Sequence, residues 1–236
     1  MQIPQTEFQD QLVSGIAHRM NNILTLFHGY LGLLLENKTL DHQTMEGLAR
    51  IKEGASAASE LMDRTHSLAR PSMLIWREVR LADFIRTMKL SLESHIGPQT
   101  TLELDLPDDV PPVWADASRV RTILFELTRN ALESTFASGG TVKLALRTVP
   151  APRGSRTGKG LPWVEFTVQD DGPGIPETAT ERIFQPFFST KKRKANSGLG
   201  LTVALTFVQH LGGILRSQSV PGSTEFTMLL PTRSPQ

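Results

Sequence analysis

Two glycine turns mark the stretch of this 236-residue chain that is best suited to binding a ligand. Asp170 and Asp171 end an apolar, strand-like run and lead directly into the turn Gly172-Pro173-Gly174. Further along, the cluster Gly198-Leu199-Gly200-Leu201 opens an apolar helical run. Because free backbone N–H groups at a helix N-terminus favour an anion, the two turns predict a site for a phosphorylated ligand.

Oxygen-rich side chains share one face of a helix predicted over 117–136, for which Asp116 is the expected N-cap. Glu126 and Asn130 lie one helical turn apart, and Glu133 follows closely. Amide and carboxylate oxygens are the ligands that Mg²⁺ prefers. The face therefore suits a magnesium site, but taken alone it is interpreted as an ordinary polar helix face.

A histidine with nucleophilic potential lies on a long helix predicted over 6–37. His18 falls nearly opposite the centre of a broad apolar arc, so its side chain is expected to face solvent. Asn22 and Thr25 continue the same stripe along the helix. Taken alone, His18 would be interpreted as a solvated surface residue.

The apolar arc of the first helix is wide enough to require more than one packing partner. A short connection at 37–41 leads to a second predicted helix over 42–69, which gives an antiparallel hairpin. One hairpin buries such an arc poorly, so two hairpins are expected to pair. The pattern therefore predicts a homodimer built on a four-helix bundle.

The rest of the chain alternates helical and strand patterns after a predicted linker at 72–80, where Trp76 is a possible packing anchor. The predicted helices cover 81–93, 117–136 and 198–211, and the predicted strands cover 101–106, 113–115, 141–149, 162–169, 214–219 and 224–230. This order predicts a mixed sheet covered by helices on one face. The fold class is therefore α+β, with a helical hairpin at 1–71 and an α/β sandwich domain at 81–236.

Several strings along the chain resemble the catalytic core of sensor histidine kinases, whose ATPase domain belongs to the superfamily of gyrase, Hsp90 and MutL. GIAHRMNNIL resembles the phosphoacceptor helix, and ELTRNALES resembles the Asn-containing box. VQDDGPGIP and NSGLGL resemble the two glycine boxes, and IFQPFFSTK resembles the aromatic box of the ATP lid. The resemblance covers about residues 8–232.

The resemblance implies roles for three residues of the first helix. His18 takes the position of the phosphoacceptor, and Asn22 that of the amide which orients a water for dephosphorylating a partner. Arg19 stands where many of these kinases have Asp or Glu, which is thought to act as a base. Another branch of the kinases has His-Arg followed by Asn, so Arg19 is compatible with activity, and it is expected to steady phosphate.

The resemblance also implies an adenine nucleotide bound with Mg²⁺. Asp170 would accept a hydrogen bond from the adenine amino group, and Asn130 would bind the metal together with Glu126, which replaces a second Asn of many kinases. The remaining implied nucleotide contacts are Gly172, Gly174, Thr190, Lys191, Gly198, Leu199, Gly200 and Leu201. The phenylalanines of the aromatic box are expected to form a hydrophobic plug beneath the lid.

The function implied by the resemblance is that of a two-component histidine kinase core. ATP would phosphorylate His18, and the phosphoryl group would pass to an aspartate of a response-regulator receiver domain, expected on another chain. An upstream sensor domain or protein would supply the stimulus. Two alternatives stay open: a degenerate kinase that acts as a phosphotransfer or phosphatase scaffold, motivated by Arg19, and a non-kinase ATPase of the same superfamily, motivated by Glu126.

Composition limits the other classes of function. The formal net charge of +1 gives no reason to expect nucleic-acid binding. No apolar run approaches the roughly 20 residues that span a bilayer, so we expect no membrane segment in this chain. The chain has no cysteine, which fits a reducing compartment, and we expect a cytoplasmic location.

Overall fold

The computed structural model describes residues 5–36, 39–69, 74–92, 95–154, 160–189 and 198–232. The chain divides into two compact units, one of Met1–Ser72 with Ser189–Leu199 and one of Met73–Phe188 with Gly200–Gln236. Thr190 and Lys191, two of the predicted nucleotide contacts, lie outside the described residues. Within the described part of the chain, every helix is too short or too polar to cross a membrane.

The first unit is a hairpin of two long helices, α1 (Gln5–Leu35) and α2 (His42–Ala69). Asp41 begins α2 as a capping residue, since its carboxylate accepts hydrogen bonds from the hydroxyl and the backbone amide of Thr44, at 2.6 Å and 2.9 Å. These two bonds lower the pKa of Asp41, the hydroxyl contributing most. Both helices follow the periodicity of the sequence, which predicted them over 6–37 and 42–69.

Among the described side chains, the core of the hairpin is formed by three buried residues. Leu24 and Leu31 of α1 are buried with Ala55 of α2, and the half-buried Leu48, Ala58 and Met62 pack against them. His28 adds a polar tie between the helices, because its Nδ1 donates to the carbonyl of Leu24 and its Nε2 lies 2.9 Å from Oγ of Ser56. Much of the apolar arc of α1 stays exposed: Ile16, Met20, Ile23, Leu26, Phe27, Tyr30, Leu33 and Leu34.

The second unit is an α/β sandwich. Its helices are α3 (Leu81–Leu92), α4 (Ala117–Thr135), α5 (Glu177–Thr180) and α6 (Gly200–His210), and its strands are β1 (Trp76–Val79), β2 (Thr100–Asp105), β3 (Val113–Asp116), β4 (Gly140–Val149), β5 (Trp163–Asp170), β6 (Ile214–Val220) and β7 (Ser223–Pro231). Five strands form one sheet in the order β2-β4-β5-β7-β6, in which only the β2–β4 pair is parallel. The predicted mixed sheet is confirmed.

One face of this sheet makes the core of the unit. Cross-strand rows of large apolar side chains, such as Leu144, Val168 and Phe226, are fully buried on it. The stripe predicted on the 117–136 helix completes the core, because its members are all buried on α4: Val120, Ile123, Leu124, Leu127 and Ala131. The opposite face of the sheet bears the alternate, polar residues, as expected for antiparallel strands with one wet face.

The linker predicted at 72–80 contains a strand that the sequence pattern did not reveal. Strand β1 pairs antiparallel with β3, outside the main sheet, with Val79 opposite Val113. Val79 is the only one of its four residues that is buried. A single buried position gives no alternation, so the strand was predicted as an irregular linker.

A second correction concerns the start of α6. The sequence predicted a helix from Gly198, but α6 begins at Gly200. Gly198 has φ of 66°, a left-handed conformation that cannot continue a right-handed helix. The glycine therefore forms the entry turn before the helix.

Candidate functional site

The centre of the site is the carboxylate of Asp170, at the end of the middle strand β5. Only 3% of this residue is exposed. Its Oδ1 accepts one hydrogen bond from Oγ of Ser134 at 2.7 Å and another from the backbone N–H of Gly172 at 3.0 Å. Because a buried charge is costly without hydrogen bonds, these two donors allow a carboxylate to stay inside the sandwich.

Gly172 occupies a position where a side chain would not fit. A Cβ atom on this residue would lie 2.7 Å from both Oδ1 of Asp170 and Oγ of Ser134. The missing side chain therefore lets the backbone approach the carboxylate closely. This is the arrangement expected of the first glycine box if an adenine is to reach Asp170.

The following glycine turn is fixed from the opposite side by the β6–β7 hairpin. Gly174 has φ of 83°, and a Cβ there would lie 2.5 Å from the carbonyl oxygen of Val220. The backbone N–H of Ile175 donates to Oγ of Ser219 at 2.8 Å. The turn is thus held against the end of β6, beside Asp170.

A second buried carboxylate lies on α4. Glu126 is 5% exposed, and its Oε2 is 2.6 Å from a terminal nitrogen of Arg129. Nε of Arg129 also lies 3.6 Å from Oε1 of Glu133. Arg129 therefore sits between two acidic side chains of its own helix, at i−3 and i+4 spacing, and neutralises part of their charge.

Glu126 also contacts the start of α6. A Cβ on Gly200 would collide with Oε2 of Glu126. Glu126 and Gly200, which the sequence assigned to two separate boxes, are therefore brought together by the fold. The carboxylate lies near the positive end of the α6 dipole, where an acidic group is stabilised.

The residues predicted to bind Mg²⁺ have the right donor chemistry. Asn130 follows Glu126 by one turn of α4 and is half-buried. Over the described residues no group of three or more acidic or histidine side chains is placed to hold a metal ion. One oxygen of Glu126 is already paired with Arg129.

The aromatic box is divided between a packed and an exposed part. The ring of Phe184 packs edge-to-face against the ring of Phe226, with the two centroids 6.5 Å apart. The backbone carbonyl of Phe184 accepts a hydrogen bond from Oγ1 of Thr202 at 3.1 Å. Phe187 is 68% exposed and has φ of 65°. The expectation that the phenylalanines form a plug holds for Phe184 and is wrong for Phe187, whose left-handed backbone turns the ring outward.

The predicted phosphoacceptor segment lies in the other unit. His18, Arg19 and Asn22 all fall within α1, but the side chain of His18 is outside the described part. The side chains of Arg19 and Asn22 are exposed. Of the remaining predicted contacts, Leu199 is buried immediately before α6 and Leu201 is half-buried in its first turn.

Three residues that hold the site together were not singled out from the sequence. Ser134 and Ser219 support the Asp170 turn, and Arg129 pairs with Glu126. A signal was available for Ser134, because it continues the Glu126–Asn130 stripe by one more turn of the helix. Its contact with Asp170 joins residues far apart in sequence, which helix spacing alone does not reveal.

A buried carboxylate that ends a central strand, precedes a glycine turn and bonds a serine of the neighbouring helix is the arrangement expected of a nucleotide-binding ATPase domain. Residues 115–234 match the family model described as "Histidine kinase-, DNA gyrase B-, and HSP90-like ATPase". This match covers about half of the 236 residues. The chain belongs to this family, and the resemblance seen in the sequence boxes is confirmed.

Two relatives with similar sequences are named as sensor kinases or histidine kinases. The chain is 31% identical over 226 residues to the sensor kinase CckA of Brucella abortus (strain 2308), a match that covers 94% of this chain and 24% of that protein. It is 30% identical over 227 residues to the sensory histidine kinase/phosphatase NtrB of Klebsiella oxytoca, covering 94% of this chain and 62% of that protein. The chain thus spans less than two thirds of the length of either relative.

The fold is similar to that of a solved histidine kinase. The crystal structure of full-length ShkA in complex with AMPPNP superposes with a TM-score of 0.73 at 23% sequence identity. The similarity covers 95% of this chain and 46% of that one. It confirms the predicted fold class of a helical hairpin followed by an α/β sandwich.

Proposed function

We propose that this chain is the catalytic core of a two-component histidine kinase that binds ATP with Mg²⁺ and phosphorylates its own His18. The observation that supports this best is the buried carboxylate of Asp170, held by Ser134 and by the backbone of Gly172 at a position too tight for any side chain. Membership of the ATPase family supports the nucleotide. The string around His18 supports the acceptor.

The proposed reaction is a phosphoryl transfer in two steps. An imidazole nitrogen of His18 attacks the γ-phosphorus, forming a P–N bond while the bond to the β,γ-bridging oxygen breaks and ADP leaves. The imidazole proton passes to solvent. In the second step a receiver aspartate oxygen attacks the phosphorus, and the P–N bond breaks. Such reactions need positioning and charge stabilisation more than covalent help from the protein.

Individual residues take the following proposed parts. Asp170 accepts from the adenine amino group, which excludes guanine because guanine presents a carbonyl there. Asn130 binds Mg²⁺, which would neutralise charge on the transferring phosphate. The backbone at Gly198–Leu201, before and in the first turn of α6, binds phosphate oxygens, with Thr190 and Lys191 as further contacts. Arg19 steadies the phosphoryl group near His18.

The proposal includes a homodimer and a receiver domain as partners. The exposed apolar face of α1 supports the dimer, because a stripe of that size on a helix pair is normally covered. Asn22 is exposed one turn from His18 and would orient a water that dephosphorylates the receiver. The lifetime of a phosphorylated receiver with the Asn22→Ala variant tests that role.

The main alternative, an ATPase without kinase activity, depends on Glu126 as a water-activating base. One oxygen of Glu126 already accepts a hydrogen bond from Arg129 at 2.6 Å. A water could use this oxygen only after the ion pair breaks. The pair therefore occupies one of the two oxygens that a water-activating base could use, and the set of nucleotide-binding boxes in the sequence disfavours a scaffold that does not use ATP.

A stoichiometry measurement separates these possibilities. The chain is incubated with ATP and Mg²⁺, and ADP and protein-bound phosphate are followed together. A kinase core yields about one ADP for each phosphoryl group on the protein. Continuous ADP release without label on the protein would support the ATPase, and neither product would support the scaffold.

A further inference from the structure

The hydroxyl of Ser134 lies between a backbone carbonyl of its own helix, α4, and the carboxylate of Asp170. It lies 2.7 Å from the carbonyl oxygen of Ala131 and 2.7 Å from Oδ1 of Asp170. A hydroxyl has a single hydrogen, so it donates to one acceptor at a time. The carboxylate is charged and makes the stronger acceptor of the two.

Ser134 and Gly172 together determine the orientation of Asp170. One donor comes from α4 and the other from the glycine turn, and both reach the same oxygen, Oδ1. The space among the three residues is filled, since a Cβ on Gly172 would lie 3.1 Å from Cβ of Ser134. With Oδ1 fixed from two directions, the plane of the carboxylate and the direction of Oδ2 are fixed as well.

We propose that Ser134 is a positioning residue that sets the preference of the site for adenine, an inference that rests on the proposed function. Ser134 holds Oδ1 so that Oδ2 points toward the amino group on the adenine ring. Without the hydroxyl, Oδ1 would lose one of these two donors, and the carboxylate would be held less firmly in this orientation. The hydrogen bond to the amino group would then form less often, and the affinity gained from that one group would fall.

The experiment removes the hydroxyl from the protein and the amino group from the ligand. Ser134→Ala is compared with wild type in calorimetric titrations with Mg-ATP and with the Mg complex of purine riboside triphosphate, which lacks the amino group. Thr122→Ala is the matched control, because Thr122 also donates to a carbonyl of its own helix, that of Ser118 at 3.1 Å, near the opposite end of α4.

The expected result is an affinity loss of about 10-fold for ATP in Ser134→Ala, the size of one good hydrogen bond. The loss for the deaminated nucleotide should stay below about 2-fold, as should both losses in Thr122→Ala. Equal losses for the two nucleotides, or no loss for ATP, would overturn the role of Ser134 while leaving ATP binding intact. Failure of the wild type to bind ATP would instead contradict the proposed function.

Discussion

At the scale of single residues, Asp170 and Glu126 are both buried carboxylates, but their neighbours stabilise them differently. Asp170 accepts hydrogen bonds from two uncharged donors, the hydroxyl of Ser134 and the backbone N–H of Gly172, and neither donor cancels its negative charge. Glu126 pairs with the guanidinium of Arg129, so its charge is largely compensated. The environment of Asp170 suits the recognition of an amino group. The environment of Glu126 suits a structural role at the start of α6, where the phosphates are proposed to bind.

The first prediction tests recognition by Asp170. In Asp170→Asn the amide oxygen can keep the bonds to Ser134 and Gly172, which turns the amide NH₂ toward the adenine amino group. Two donors then face each other, and ATP affinity should fall about 100-fold. Titration measures the loss, and circular dichroism verifies the fold.

The matched control for this prediction is Asp171→Asn. Asp171 is the exposed neighbour that accepts from the backbone N–H of Thr141 at 2.8 Å. Its replacement should change ATP affinity less than about 3-fold, because an exposed hydrogen bond contributes little. Normal ATP binding by Asp170→Asn would mean that the pocket lies elsewhere.

The second prediction concerns the ion pair between Glu126 and Arg129. Arg129→Ala leaves a buried carboxylate without its partner, which should lower the free energy of unfolding by about 3 kcal/mol. Urea unfolding followed by tryptophan fluorescence measures it, since Trp76, Trp114 and Trp163 all lie in the α/β unit.

The exposed pair between Arg147 and Asp105 is the control for Arg129→Ala. Arg147→Ala should cost less than about 1 kcal/mol, because solvent screens a surface pair. If both variants lose the same small amount of stability, the Glu126–Arg129 pair does not stabilise the site as described.

At the scale of elements, α4 connects the nucleotide site to the segment that precedes the domain. Asp116 caps α4 through the backbone amides of Ser118 and Arg119, and its other oxygen accepts from the backbone N–H of Ile75 at 2.9 Å. Burial alone would raise the pKa of Asp116, but the hydrogen bonds from Ser118, Ile75 and Arg119 outweigh it and lower the pKa. The start of β1 is thereby tied to the helix that bears Asn130.

A pH-dependent contact joins α4 to the end of α6. A guanidinium nitrogen of Arg119 lies 2.5 Å from Nδ1 of His210, and the guanidinium stacks on Phe207. Desolvation of the ring, and then the charge of Arg119, lower the pKa of His210 below its usual 6.5. The folded protein therefore binds fewer protons at this residue than the unfolded chain does.

The third prediction follows from the lowered pKa of His210. The stability contribution of neutral His210 is complete above pH 6.5 and is lost as the pH falls through the lowered pKa of the folded state. Wild type should lose more stability between pH 7.5 and 5.5 than His210→Gln does, measured by urea unfolding with tryptophan fluorescence. Parallel pH profiles of the two proteins would contradict the assignment.

Local patterns predicted most elements, while contacts between distant residues escaped them. The apolar stripe of α4 and the alternation in β4, β5 and β7 follow directly from side-chain periodicity. Strand β1 escaped because Trp76–Val79 has one buried position and gains its pairing from β3. The candidate site shows the same division: Asp170 and Gly172 stand in a recognisable string, but Ser134 reaches Asp170 only through the fold.

At the scale of the whole molecule, the helical hairpin leaves apolar side chains uncovered. Ile23 is 46% exposed and Tyr30 is 69% exposed on the same arc of α1. Burying such an arc gives about 25 cal/mol per Å² of apolar surface, which favours pairing of two hairpins. The fourth prediction is a dimer in solution, measured by sedimentation equilibrium.

Charge on this arc should prevent the pairing. The double variant Ile23→Glu with Tyr30→Glu should sediment as a monomer, because association would bury unpaired carboxylates. Leu104→Glu, at an exposed apolar residue of β2, is the control and should remain a dimer. A monomeric wild type, or a dimeric double variant, would exclude α1 as the interface.

The most direct test of the central claim is phosphorylation of His18 by bound ATP. Wild type, His18→Gln and the control His42→Gln are incubated with γ-labelled ATP and Mg²⁺, after titration has verified ATP binding by each. We predict acid-labile, base-stable label on wild type and His42→Gln, and no label on His18→Gln although it binds ATP. Label that persists on His18→Gln, or an absence of label on ATP-bound wild type, would contradict the account.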